Sequence, residues 1–379
     1  MRPMRVLLAW GVAFINAIHY VLFKVRLMNP PDFRRYPTHW EPWLGGMLGW
    51  KRTLRVRHAE RCPVEGAAVF VSNHVKLDDP LFLWGAVDRA TGGRRHIYFM
   101  MRDDFFRGWP WDYLPFSMNE LTASSGCIQI SRDQVSLSQL KPLLQVLEAG
   151  ESFLMFPGRT RSRTGQCIEY RDGIEEPGGV SFFLAHGGRR AGRDIPAVPL
   201  ARTHNPVSGV STIVFGEAML LPKGASREAQ RDFDLELAVA ISNLIELHAL
   251  HALSLQLYLR CLHGHAGPYT LPQAESDVRA ILMEAEKAGR YVDDGALADP
   301  SGAVAGAARW LERHGILRIA GEAIHPDVAA ILSTPEWDTR YRKHNPVKFY
   351  ANQALHLGDV VAVAEERVLC QLASAYSGT

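Results

Sequence analysis

The sequence predicts an α/β fold: a mainly parallel sheet flanked by helices, with an N-terminal membrane-associated helix and a helical C-terminal extension. Three observations predict it. Between residues 51 and 225, short apolar runs alternate with helix-like stretches, the pattern of a parallel sheet covered by helices. Residues 4–23 form the one long apolar stretch. From residue 226 onward leucine and alanine recur at helical spacing, and 233–262 contains neither glycine nor proline. The expected organisation is a membrane-associated segment with its connector over 1–50, a sheet domain over 51–225 and a helical region over 226–379.

Taken in order, residues 4–23 are interrupted by Asn16 and His19, with Arg5 at their start. Their length is about the 20 residues needed to cross a bilayer core, and Trp10 and Tyr20 are typical of membrane interfaces. No small-x-small site follows, which argues against a cleaved signal. Asn16 and His19 share a helix face, so lying along the membrane surface is a second reading and burial in a soluble core a third. Arg2, Arg5, Lys24 and Arg26 flank both ends and leave the orientation open. A Pro- and Trp-rich connector spans 29–50. Strand-like runs follow at 67–71, 97–101, 127–131, 152–156, 197–201 and 212–215, with helices expected at 81–87, 138–149 and 180–186. Gly150 and Gly187 stop the last two helices. Pro196 and Pro199 mark their run as an edge or a strand end. Farther on, a helix over 307–314, a stop at Gly315 and two short strands at 316–319 and 323–325 resemble a winged helix. It lacks a Lys/Arg-rich recognition helix, which speaks against nucleic acid as a partner.

An apolar share of 47% and a charged share of 22% belong to a folded chain, not a disordered one. The net charge of +2 excludes a general nucleic-acid binder, although arginines cluster at 52, 55 and 57, at 159, 161 and 163, and at 189, 190 and 193. Such clusters suit phosphate-bearing partners locally. The five cysteines form no Cys-x-x-Cys pair, so zinc and redox couples are not expected and the protein is read as reduced, facing the cytoplasm. No metal is expected either, because nothing completes a ligand set around His248 and His251 or His263 and His265.

The chemistry-bearing residues sit just past the ends of the strand-like runs, where open sheets of this kind place ligands. Asn73 and His74 follow the 67–71 run, and Asp79-Pro80 reads as a helix opening with Asp79 as N-cap. A bend between them can return the Asp79 carboxylate to the imidazole and hold it in one tautomer as a general base. Without that bend, Asp79 merely caps and His74 merely packs. Asp78 is read as solvent-facing. Gly126 precedes a strand that leads to Arg132, whose planar fork suits a phosphate, while the glycine permits close backbone approach. The loop 157–165 carries Arg159, Thr160, Arg161, Ser162, Arg163 and Thr164 between glycines, a density of donors suited to an anion.

Four blocks in this order resemble the glycerophospholipid acyltransferase family, which includes glycerol-3-phosphate and 1-acylglycerol-3-phosphate acyltransferases. They are Asn73-His74 with Asp79, Gly126 to Ile130 and Arg132, Phe156-Pro157 with Thr160-Arg161-Ser162, and Val198-Pro199. The likeness covers about residues 50–220, and four ordered blocks are more specific than any one. Asp78-Asp79-Pro80 and Leu83-Trp84-Gly85 also look like the tafazzin branch. Arg161 to Gly165, and Phe349 to Asn352 with His356, look more like the glycerol-3-phosphate branch.

The resemblance implies that His74 and Asp79 are catalytic, His74 taking the acceptor's proton and Asp79 orienting it. It implies an acceptor site of Asn73, Gly126, Arg132, Arg159, Thr160, Arg161 and Ser162, with Pro199 shaping the wall near the acyl donor. It implies no cofactor: acyl-CoA or acyl-carrier protein is a substrate, and membrane lipid is the partner. In one respect the chain departs from the family, since Gly158 stands at its glutamate position and Arg159 at its glycine. Glu169, Glu175 or Glu176 of the following loop is the expected substitute. The function expected is membrane-associated acyl transfer to a glycerol-phosphate-type hydroxyl. A tafazzin-like transacylase and a non-catalytic lipid-binding member are the alternatives.

Overall fold

Two strands that read as unbroken apolar runs occupy the middle of the larger sheet: β2 (Val69–Ser72) and β5 (Ser152–Met155), every residue of each buried. Continuous burial of that kind requires cover on both faces. The remaining strands are β1 (Leu54–Arg57), β3 (Ile97–Arg102), β4 (Cys127–Ile130), β6 (Pro196–His204), β7 (Ser211–Phe215) and β8 (Met219–Leu220). Their order is β1-β7-β6-β2-β5-β3-β4, with β8 also on β6. Five neighbours, β6 to β4, are mutually parallel; β7 and β8 run antiparallel to β6, and β1 is parallel to β7. The expected mainly parallel sheet is therefore mixed at one edge. The computed structural model describes residues 18, 21–22, 25, 27, 53–104, 126–131, 137–158, 161–167, 179–265, 269–334 and 344–377.

Alternation along the strands splits the core in two. Val69, Val71, Phe153 and Met155 face α2 (Leu137–Glu148) and α3 (Gly179–Ala191), joined by Phe233, Leu237 and Ile241 of the later helix over 227–243. Phe70, Leu154, Val198 and Leu200 face α1 (Asp79–Thr91), packing with Phe82, Leu83 and Trp84. Neither β1 nor β8 was expected as a strand: Leu54-Arg55-Val56-Arg57 alternates with charge at the sheet edge, and β8 has only two residues.

The run 196–201 proves interior, not an edge, since β6 lies between β2 and β7. Pro199 is tolerated because its carbonyl accepts from the Gly216 N–H at 2.8 Å, just where β7 has ended and β8 has not begun. In extended backbone the N–H and C=O of one residue share a side, so the missing N–H falls toward Gly216, just past the end of β7, and leaves the pairing with β2 untouched.

Helical periodicity over 233–262 does not produce one helix but two, α4 (Arg227–Asn243) and α5 (Ala249–Leu262). The break at 244–248 comes from long-range polar contacts. The Glu246 N–H donates to Thr203 Oγ1 at 2.9 Å, its carboxylate accepts from Thr212 at 2.6 Å and pairs with Arg57 at 2.9 Å, and Leu247 bonds to the 291–293 backbone. After α5 come β9 (Tyr269–Thr270), α6 (Leu271–Lys287), α7 (Asp294–Ala298), α8 (Pro300–Arg313), β10 (Leu317–Ala320), β11 (Ala323–Pro326), α9 (Val328–Leu332), α10 (Pro346–Asn352) and α11 (Gly358–Ser377). The antiparallel sheet β10-β11-β9 beside α8 is the winged-helix-like unit. Here α8 packs on the β6–β7 turn: a Cβ on Gly306 would lie 2.7 Å from Val207.

The N-terminal prediction, a membrane-associated helix at 4–23, lies outside the described residues except at 18, 21 and 22. No helix among the described residues is long and apolar enough to cross a membrane.

His248 and His251 are fully buried at the start of α5, their rings 4.0 Å apart. His251 Nδ1 accepts from the His248 backbone and its Nε2 donates to Gln353 Oε1 at 3.1 Å. Burial pushes the His251 imidazole down to about 4 and His248 well below its usual value. An unfolded His251 takes its proton near 6.5 and the folded one only near 4, so within that window the unfolded state binds more protons. Stability should therefore fall by roughly 3 kcal/mol from His251 alone as pH drops from 7 to 4, and stay flat above 7. Denaturant unfolding at stepped pH checks this, and His251→Gln should flatten the slope.

Candidate active site

His74 emerges at the C-terminal end of β2 because Asn73 ties the strand down just before it. Asn73 Oδ1 accepts from the Arg202 N–H at 2.8 Å and its Nδ2 donates to the Arg202 carbonyl at 3.0 Å, so a side chain continues the ladder between β2 and β6. Beyond it the chain leaves the sheet and wraps around one carboxylate. Asp79 Oδ2 accepts from His74 Nδ1 at 2.9 Å and from the N–H groups of Val75 and Lys76, both at 2.7 Å. Its other oxygen accepts from Arg202 at 2.7 Å. Asp79 is fully buried, and the His74 side chain is 19% exposed.

The expected return of Asp79 to the imidazole is thus present, but its expected N-cap role is not. The helix α1 begins at Asp79 itself, with Asp78 at the cap position and no side-chain cap bond. An acid with four donors already converging on it has no need of the helix amides. Asp78, expected to face solvent, instead pairs with Arg202 at 2.9 Å. Partial burial alone would raise the Asp78 carboxyl, but the hydrogen bonds and charge of Arg202 more than offset it and hold the group below its usual value.

Arg202 was not anticipated. It is fully buried in β6, lies over the Phe82 ring at 3.8 Å, bridges Asp78 and Asp79, and donates to Ser211 Oγ at 3.1 Å. The available signal was a single charge inside the apolar run 197–203, opposite two consecutive acids that need a cation. Planar, forked and permanently charged, a guanidinium can serve both carboxylates at once.

The loop after β5 reaches the same end of the sheet. Phe156 stacks on His74 with centroids 4.1 Å apart, and the Ser162 N–H donates to the His74 carbonyl at 2.7 Å. Arg161 and Ser162 are therefore brought beside His74. Ser162 is buried, and its Oγ accepts from the Gly165 N–H at 2.9 Å, closing the loop on itself. Behind the His74 loop a small cleft is lined by Val75, Lys76, Arg202 and His204 on one side and by Phe349 and Tyr350 of α10 on the other.

Two expected residues stand elsewhere. Gly126 opens β4, level through β3 and β5 with Val69, hence nearer the start of the strands than His74. Its positive φ of 94° and the 2.5 Å that a Cβ would leave to His96 explain the glycine by local packing. Pro199 lies within the sheet, level with Val71. Arg132, Arg159 and Thr160 lie outside the described residues, as do Glu169, Glu175 and Glu176. Among the described residues no group of three or more His, Cys, Asp or Glu could hold a metal ion.

Chemically, the pair has one defined direction. A carboxylate can only accept, so Nδ1 carries the proton toward Asp79, which leaves Nε2 as the ring's acceptor nitrogen. A hydroxyl presented to Nε2 can lose its proton there. The imidazolium that results is stabilised by Asp79, whose own geometry is held by two backbone amides and an arginine.

The family model described as Acyltransferase matches residues 53–200. No curated protein matched the chain. Among solved structures, the 1-acyl-sn-glycerophosphate (LPA) acyltransferase PlsC from Thermotoga maritima is similar at 19% identity and a TM-score of 0.40, over 64% of this chain and 95% of that one.

Proposed function

We propose that this chain, which belongs to the acyltransferase family through residues 53–200, moves a fatty acyl group from a thioester donor to a hydroxyl of a glycerol-phosphate-type acceptor, glycerol 3-phosphate or lysophosphatidic acid. The observation that carries the reading is the His74–Asp79 pair with the Arg161 loop tied to the His74 carbonyl. The reading is supported by a histidine–carboxylate pair and an arginine-bearing loop meeting at one strand end.

In the reaction proposed, His74 Nε2 takes the proton from the acceptor hydroxyl as its oxygen bonds to the thioester carbonyl carbon. The tetrahedral intermediate then collapses: the carbon–sulfur bond breaks, the thiolate leaves and takes the proton back from His74. An ester and a free thiol result, and no covalent enzyme intermediate is needed when the acceptor is held in place. Arg161 and Ser162, with Arg132, Arg159 and Thr160, are the groups proposed to grip the acceptor phosphate. Residues 4–23 are proposed to keep the site at the cytoplasmic face of a membrane, where long acyl chains partition.

The test is a transfer assay with labelled acyl-CoA and acyl-carrier protein against glycerol 3-phosphate and lysophosphatidic acid. Ester formation that needs the thioester supports the reading. Chain exchange between phospholipid and lysophospholipid without any thioester would replace it with a transacylase, and lipid binding with no turnover would sink catalysis altogether.

A further inference from the structure

We infer that the C-terminal helical layer is a working part of the acceptor site: α10 holds the 161–165 loop in the shape that sets Arg161 beside His74, with Asn352 as the positioning residue. The loop is pinned at both ends. At its start the Ser162 N–H bonds to the His74 carbonyl at 2.7 Å; at its end Asn352 Nδ2 donates to the Thr164 carbonyl at 2.9 Å across 188 residues of sequence. Between them Gly165, at φ 100°, lies so close to α10 that a Cβ would overlap the Phe349 carbonyl oxygen. Only glycine accepts both that φ and that approach.

The other partner of this contact is itself immobilised. Asn345 caps α10 by accepting from the Lys348 N–H at 2.9 Å and donates to the carbonyls of Ile331 and Ser333 at 2.8 and 2.9 Å. Phe349 and Tyr350 are buried in the core that joins α5, α6, α8 and α11. A short loop between two rigid anchors loses little further freedom when a ligand binds, so its cations are preorganised and the ligand meets a lower ordering cost. Releasing one anchor returns that cost to the binding step. The expected signature is therefore a weaker grip on the phosphate-bearing acceptor, with donor binding and the proton transfer at His74 left alone.

The kinetic half of this inference rests on the acyl-transfer reading; the structural half does not. Asn352→Ala should raise the acceptor KM about five- to tenfold, as expected for one lost hydrogen bond, with kcat and the donor KM within about twofold. Amide hydrogen exchange over 161–165 should become faster. Lys348→Ala, on the same helix but bonded to Thr334, should change neither. Gly165→Ala should reproduce the Asn352→Ala effects more strongly where it folds. An unchanged acceptor KM with unchanged exchange in Asn352→Ala overturns the inference, as does a fall in kcat at constant KM. Should the unaltered protein transfer no acyl group, the acyl-transfer reading fails by itself, and exchange decides: faster at 161–165 in Asn352→Ala than in Lys348→Ala supports the clamp, equal rates remove it.

Discussion

His74→Ala is expected to lower acyl transfer by about 10²–10⁴-fold, the usual contribution of a positioned general base. The fold should survive, for a specific reason. When the imidazole is removed, Asp79 Oδ2 keeps the N–H groups of Val75 and Lys76, and Oδ1 keeps Arg202, so no charge is left buried and unpaired. The lost hydrogen bond and the lost stacking on Phe156 should cost on the order of 1 kcal/mol of stability. Single-turnover transfer with labelled donor, beside a denaturant unfolding curve, separates the two effects. Transfer at near the unaltered rate in a folded His74→Ala protein would end the general-base assignment.

Arg202→Met is expected to have the largest effect on stability. It removes the cation between two carboxylates, one of them fully buried, and strands Asp79 in a place it cannot leave. Breaking a buried pair from one side costs about 3–5 kcal/mol, and the geometry around His74 should be lost with it. The variant Arg202→Lys keeps the charge but not the fork that spans Asp78, Asp79 and Ser211, so it should recover part of the stability and little of the rate. A midpoint of unfolding for Arg202→Met equal to that of the unaltered protein would show that Arg202 holds nothing.

Much of this site was legible because its residues are neighbours in sequence. His74 and Asp79 are five apart, and a strand followed by Asp-Pro limits how the intervening chain can turn. Arg161 and Ser162 were legible from density, since three arginines among hydroxyls in one loop have few structural uses. Gly126 was misplaced because a glycine before a strand has the same spelling whether it admits a ligand or, as here, a neighbouring His96. Arg202 was missed because its carboxylate partners lie more than 120 residues away, and a lone charge in an apolar run does not by itself say which acids it meets.

The role of the helical region was likewise invisible: the contact of Asn352 with Thr164 exists only once α10 is laid across the loop. The division of 233–262 into two helices has the same origin, because local spacing favours a continuous helix and the break is rewarded by distant Thr203, Thr212, Arg57 and the 291–293 backbone.

By itself, then, the amino-acid order determined the α/β class, most strand positions, the three helices of the sheet domain and the pairing of His74 with Asp79, since hydrophobic period and short-range turn chemistry are local properties. Tertiary structure decided what holds that carboxylate, where the sheet turns antiparallel, and which distant helix braces the arginine loop. Those depend on burial and on pairing of charges across the fold, and the energy of a buried ion pair or a close backbone approach is set by neighbours that no stretch of sequence contains.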